Sequence, residues 1–222
     1  MTLKAIIFGS IGTLVETSEL QRRAFNQAFA EAGLDWNWDI DVYKLLLTRS
    51  GGHLRIKDYA TQCGVEVDTN QLHRRKTEVF DALMTEQRIS LRPSVSSVIN
   101  YAIHREIKLA FATTTSAANI DALFFALDVQ LKRGNFNFIG NSSMVPKPKP
   151  SPDIYQKVLS DLQLPAKDCI AIEDTAISMK AASAANLRCI AFPGDFAQSN
   201  DFSGALLITN DLSAESFSDV HK

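Results

Sequence analysis

Cysteine is scarce in this sequence, and basic charge is not in excess. The three cysteines, Cys63, Cys169 and Cys189, form no close pair, so a disulfide framework is not expected. Cys169 and Cys189 sit in apolar, strand-like runs, which reads as buried reduced thiols of a cytoplasmic protein. Lysine and arginine total 23 against 25 aspartates and glutamates, a net charge of -2. A nucleic-acid binder usually carries a basic surplus, so no nucleic-acid partner is expected. No window approaches the run of about 18 apolar residues that a membrane span requires. The N-terminus shows no basic segment followed by an apolar run and a small-residue cleavage site, so no signal peptide is expected either. The 222 residues of the chain, 45% hydrophobic and 22% charged, suit one large domain or one domain with an insert.

The chain starts with a short apolar strand, residues 5–8, that runs into the turn Gly9-Ser10-Ile11-Gly12-Thr13. Such a start suggests the first strand of an α/β sheet, whose ligands sit at the carboxyl ends of the strands. Residues 17–33 repeat apolar or small side chains at helical spacing, with Gly33 as a stop. Helical patterns recur in the later half of 35–48 and over 54–63 and 69–88, with a loop at Ser50-Gly51-Gly52-His53. No strand is expected between residue 17 and about 90. Alternation resumes with a helix over 93–104, which carries Pro93 in its first turn, and a strand over 107–112. Ser116 is placed to cap a helix over 117–127. Strands follow at 136–140, 169–172, 188–192 and 206–209, and helices start near Asp153 and Ala176. This pattern predicts a Rossmann-like parallel sheet with helices on both faces and an inserted all-helical cap. The core is residues 1–16 and 91–222, and the cap is residues 17–90.

Four strand ends then converge: Gly9 to Thr13, Thr113-Thr114, the loop carrying Lys147 and Lys149, and Glu173-Asp174. Hydroxyls with a lysine can hold a phosphate, and two carboxylates can hold Mg²⁺ alongside substrate phosphate. Taken singly, a threonine run is often a helix cap and a loop lysine is often only solvated.

The order of these motifs resembles the haloacid dehalogenase-like superfamily, subfamily I, in its β-phosphoglucomutase and CbbY-type phosphatase branch. The resemblance spans essentially the whole chain. It rests on G-T-L-V-E-T at 12–17, R-A-F-N-Q-A-F at 23–29, S-G-G at 50–52, A-T-T-T-S at 112–116, K-P-S-P-D-I-Y at 149–155 and I-E-D-T at 172–175. It implies a Rossmann-like core with a helical cap inserted after the first strand. It also implies an aspartate nucleophile and an aspartate acid/base in a first motif D-x-D-G-T. Gly9 and Ile11 stand at those two positions, so both catalytic carboxylates are missing. Ser10 lies between them, on the strand face opposite the site by simple alternation, and is not expected to replace the nucleophile. The resemblance carries over Thr113 and Thr114 as phosphate-holding residues, Lys149 as the neutralising lysine and Glu173 with Asp174 as the metal-binding pair. Gln21 replaces a cap histidine, Ser178 and Asn186 replace glycines, and Gly51-Gly52-His53-Leu54-Arg55 replaces G-G-K-E-R. Arg49, His53 and Arg55 could give the cap a positive face toward the core, or could line a solvated helix face.

The resemblance therefore implies a phosphatase-like family member without an aspartyl-phosphate route, a catalytically impaired homologue or pseudoenzyme. The expected partner is a small phosphorylated metabolite or other anion, with Mg²⁺ binding weak or absent. A direct ion pair of Lys149 with Glu173 or Asp174 is expected in place of the missing aspartate. Two alternatives stay open: catalysis by a metal-bound water, and a protein-interaction role through the cap.

Overall fold

The computed structural model describes residues 2–48 and 51–221. Six parallel strands form one sheet in the order β3-β2-β1-β4-β5-β6. They are β1 Ala5–Phe8, β2 Lys108–Ala112, β3 Phe138–Gly140, β4 Cys169–Glu173, β5 Arg188–Ala191 and β6 Leu207–Ile208. β1 lies at the centre, with Phe8 level with Phe111 of β2 and with Ile172 of β4. The carboxyl ends of these three strands therefore finish side by side.

Alternation along each strand sorts side chains by size. Ile6, Phe8, Leu109, Phe111, Ile170 and Ile172 pack on one face against α6 Val95–His104 and α7 Ala117–Ala126. Ala5, Ile7, Ala110, Ala112 and Ala171 pack on the other. That second face receives α8 Asp153–Leu162 and α9 Ala176–Ala184. Alanines on both sides, including Ala181 and Ala182 of α9, let the helix lie close to the sheet. Asn186, where the resemblance has a glycine, adopts φ 59. Asparagine tolerates this left-handed conformation better than most residues, so the turn after α9 survives the substitution.

Between β1 and β2 no strand occurs among the described residues. The short α1 Ile11–Leu14 follows the site turn, and then come α2 Ser18–Glu31, α3 Ile40–Leu46, α4 Gly52–Cys63 and α5 Thr69–Glu86. These last four helices share an aromatic core of Phe25, Phe29, Trp38 and Tyr43. α5 packs against α7, and Tyr43 of α3 meets Phe196, in the turn that follows β5. Phe196 follows the carboxyl end of β5.

Several boundaries differ from expectation. Pro93 does not open a helix: Ser94 takes φ 70, so α6 begins only at Val95. Gly52 starts α4 rather than continuing a loop. β3 and β6 are shorter than their apolar runs, because both lie at sheet edges with one partner each. Cys63 is exposed at the end of α4, whereas Cys169 and Cys189 are buried and unpaired as expected.

Candidate phosphate site at the strand ends

The site begins with a missing side chain. Gly9 follows β1, and a Cβ built on it would land on Glu173 Oε1 and Tyr155 Oη. The volume of an aspartate at position 9 is thus filled from β4 and α8. Lys149 completes the group. Its ammonium donates to the Gly9 carbonyl and, at 2.6 Å, to Glu173 Oε1, and lies 3.4 Å from Tyr155 Oη. Tyr155 also donates to Glu173 Oε1. Lys149 is 4% exposed and Glu173 fully buried, so this is an interior ion pair. The expected Lys149 contact is present, with Glu173 as its partner.

The two carboxylates at the end of β4 point in different directions. Glu173 turns to the α8 side, and Asp174, one residue on, turns the other way. There Asp174 accepts a 2.8 Å hydrogen bond from Ser10. It also fills the space over Gly12, where a Cβ would collide with its carboxylate. This corrects the expectation that the Ser10 face lies away from the site. Alternation does set Ser10 opposite Gly9, but the acidic pair straddles the strand end, and the face opposite Gly9 holds Asp174. Ser10 is the residue before α1 and has extended backbone there.

Burial raises the Glu173 carboxyl above its ordinary range, with Lys149 opposing that shift. Desolvation raises Asp174 too, opposed first by the Ser10 hydroxyl and also by the charge of Arg92. Arg92 is held nearby by the carbonyls of Gly12, Phe192 and Pro193. The Tyr155 hydroxyl is pushed well above its usual value, by burial first and then by Glu173, so it stays a proton donor.

Thr113 is buried one residue beyond β2, and its hydroxyl accepts from the Thr115 amide. Thr114 is partly exposed beside it. Ser116 caps α7 through the Asn119 amide, so the N-terminus of this ten-residue helix opens at the same strand ends. Hydroxyls at a helix N-terminus suit an anion.

The family resemblance implies Mg²⁺. It wants near-octahedral oxygen ligands and gives up water reluctantly. Here Glu173 Oε1 is taken by an ammonium and a phenol, the Gly9 carbonyl is taken by the same ammonium, and Asp174 is turned to Ser10. One oxygen, Glu173 Oε2, is buried without a hydrogen-bond partner. This donor set does not fit the ion, because the carboxylates diverge and a positive charge already lies against one of them.

The helices of residues 17–90 bring a second charged group. Arg55 lies over the rings of Phe25 and Tyr43, and Lys76 lies 4.9 Å from Phe25 and 4.8 Å from Phe80. Lys76 is buried and bonded to Gln21, the residue that replaces the cap histidine. Burial, aided by Arg55, lowers Lys76 to about 7, although Asp81 opposes the shift. His73 falls to about 4, from burial and then from Lys76, His53 and Arg55. His53 meets Thr69 at 2.8 Å, within the same helices. Arg49 lies outside the described residues. Sequence reasoning did not single out Lys76, His73 or Tyr155. A lysine on the apolar stripe of α5, among Leu72, Val79, Phe80 and Leu83, was the available signal for the first.

Comparison with known proteins agrees with this fold. The profile of the family described as haloacid dehalogenase-like hydrolase matches residues 6–192. Protein CbbY of Cereibacter sphaeroides is 44% identical over 206 residues, covering 91% of this chain and 90% of the relative. The crystal structure of CbbY from Rhodobacter sphaeroides in complex with phosphate has a TM-score of 0.86 at 40% identity, over 95% of each chain. A mutant of CbbY from Rhodobacter sphaeroides, in complex with xylulose-(1,5)bisphosphate, matches at 0.85 with the same identity and coverage.

Proposed function

This chain belongs to the haloacid dehalogenase-like hydrolase family, and we propose that within it the protein binds phosphorylated sugars without running the family's covalent phosphoryl transfer. One observation carries the reading: the place of the nucleophile's side chain at Gly9 is filled by Glu173 in an ion pair with Lys149. A covalent route needs a carboxylate free to attack phosphorus. Glu173 is fully buried and bound to two donors. Ile11, at the acid/base position, is buried in the apolar core. Loss of a general acid alone costs on the order of 10² to 10⁴ in rate, and here the nucleophile is missing as well.

Binding is the function the remaining groups support. Thr113, Thr114 and the α7 N-terminus offer donors at the strand ends. The helices of residues 17–90 act as a cap over them, with Arg55 and Lys76 as the cationic side for a second anionic group. The phosphate and xylulose-(1,5)bisphosphate held by the two CbbY structures support a phosphorylated sugar as the ligand class. The buried free thiols Cys169 and Cys189 suit a reducing compartment such as the cytoplasm. Among the described residues, no helix is long and apolar enough to cross a membrane.

The test is phosphate release across a panel of sugar phosphates that includes xylulose-1,5-bisphosphate, with ligand binding measured by calorimetry on the same samples. Binding without turnover is expected. Turnover near about 1 s⁻¹, abolished by Asp174→Ala, would refute the proposal.

A further inference from the structure

We propose that Lys149 is the resident cation of this site, and that phosphate binds here independently of any divalent metal. The inference rests on the anion-binding reading above and adds which charge does the neutralising. Three features converge on it. The ammonium already joins the Gly9 carbonyl to Glu173 Oε1. Glu173 reaches that position because Gly9 has no Cβ, so the change at position 9 and the ion pair are one rearrangement. Asp174, the other carboxylate, is directed to Ser10 and the space over Gly12. A dication entering here would have to separate an interior ion pair and turn two carboxylates back toward each other. An arriving phosphate dianion instead meets hydroxyls, a helix N-terminus and an ammonium already in place, which attract it, and has only the Glu173 carboxylate to displace from that ammonium.

The opposite reading predicts the opposite sign for one substitution. If Glu173 held a metal that in turn held phosphate, Glu173→Gln would weaken phosphate binding. If Glu173 instead competes with phosphate for Lys149, removing its charge tightens binding, by roughly tenfold for one charge-assisted contact.

The experiment is calorimetry and thermal unfolding of the full chain with inorganic phosphate, in Mg²⁺ and in EDTA, for the wild type and Glu173→Gln. Mg²⁺ alone is titrated into the wild type. The expected result is an equal phosphate response in both buffers, no response to Mg²⁺ alone at millimolar concentration, and tighter phosphate binding by Glu173→Gln. A phosphate response present only with Mg²⁺, or weaker binding by Glu173→Gln, overturns the proposal and leaves the anion-binding reading standing. No phosphate response in any buffer overturns that reading and this inference together. If Glu173→Gln does not fold, the Mg²⁺ and EDTA comparison on the wild type still decides.

Discussion

Two buried lysines in this molecule live under opposite conditions. Lys149, at the strand ends, is bound to a carboxylate at 2.6 Å. Lys76, in the cap, sits between aromatic rings, is bonded to an amide, and shares its surroundings with Arg55 and His73. Its opposing carboxylate, Asp81, acts on it through space and is itself raised to about 6 by burial. A buried charge is costly unless it is paired and hydrogen-bonded. By that rule the core has settled its charge internally, while the cap retains a positive group that an anion would relieve. The comparison separates a lysine held against a carboxylate from one whose nearest carboxylate acts only at a distance.

The largest effect is expected from breaking the core pair. Lys149→Ala strands the fully buried Glu173 and should destabilise the fold by about 3 to 5 kcal/mol. Replacing both members with apolar side chains of similar volume, as in Lys149→Met with Glu173→Leu, should recover most of that loss. Urea unfolding of the two single variants and the double variant gives the coupling directly. Additive losses would mean that the pair is not a unit.

In the cap the sign reverses. Lys76→Met removes a poorly compensated charge and keeps the stem's contact with Phe25 and Phe80, so it should stabilise the fold at neutral pH by about 2 kcal/mol. Lys76 titrates near 7 in the fold, against an ordinary value of 10.5. Between those values the unfolded chain holds a proton that the folded chain does not. Wild-type stability therefore rises with pH from about 7 to 10.5 on account of this residue, and its contribution is level below 7. Lys76→Met should flatten that rise while weakening the binding of a bisphosphate. A variant that is less stable, with the pH slope unchanged, would place Lys76 alongside Lys149 as a structural charge.

The contrast was only half legible in the residues. The Lys149 pair followed from the family resemblance together with charge: with no aspartate at position 9, the acidic pair of the neighbouring strand end was the available partner. The sheet and its order of elements followed from apolar runs and turn residues, since the central strands β1 and β4 are buried throughout and β2 and β5 nearly so. Tyr155 was less legible. It stands on the apolar stripe of α8 with Ile154, Val158 and Leu162, so its hydroxyl could have been a passive end of a core ring. Only the empty volume at Gly9 gives it a carboxylate to reach. Lys76 was hidden because a cation on an apolar stripe is ordinarily one whose stem is buried and whose head reaches water. At Ser10, in the turn into α1, alternation held, but the acidic pair straddles the strand end and puts Asp174 on the face opposite Gly9.

That turn yields the smallest effect, and it asks whether the core is settled at both carboxylates or at one. Ser10 donates to Asp174 at 2.8 Å in partly exposed surroundings. A hydrogen bond to a charged acceptor is worth about 1.5 to 3 kcal/mol when buried, and access to water reduces this, so Ser10→Ala should cost about 1 kcal/mol. The hydroxyl also lowers Asp174 against the desolvation that raises it. Without it the Asp174 carboxyl moves further above its unfolded value of about 3.9. A raised carboxyl favours the protonated form in the fold, so the folded chain takes up protons that the unfolded chain has released, and stability falls as pH rises through that interval. Ser10→Ala should therefore lose more stability at pH 7 than at pH 4. Equal losses at both pH values would mean that Arg92 and the surrounding backbone, rather than the serine hydroxyl, hold the charge on Asp174.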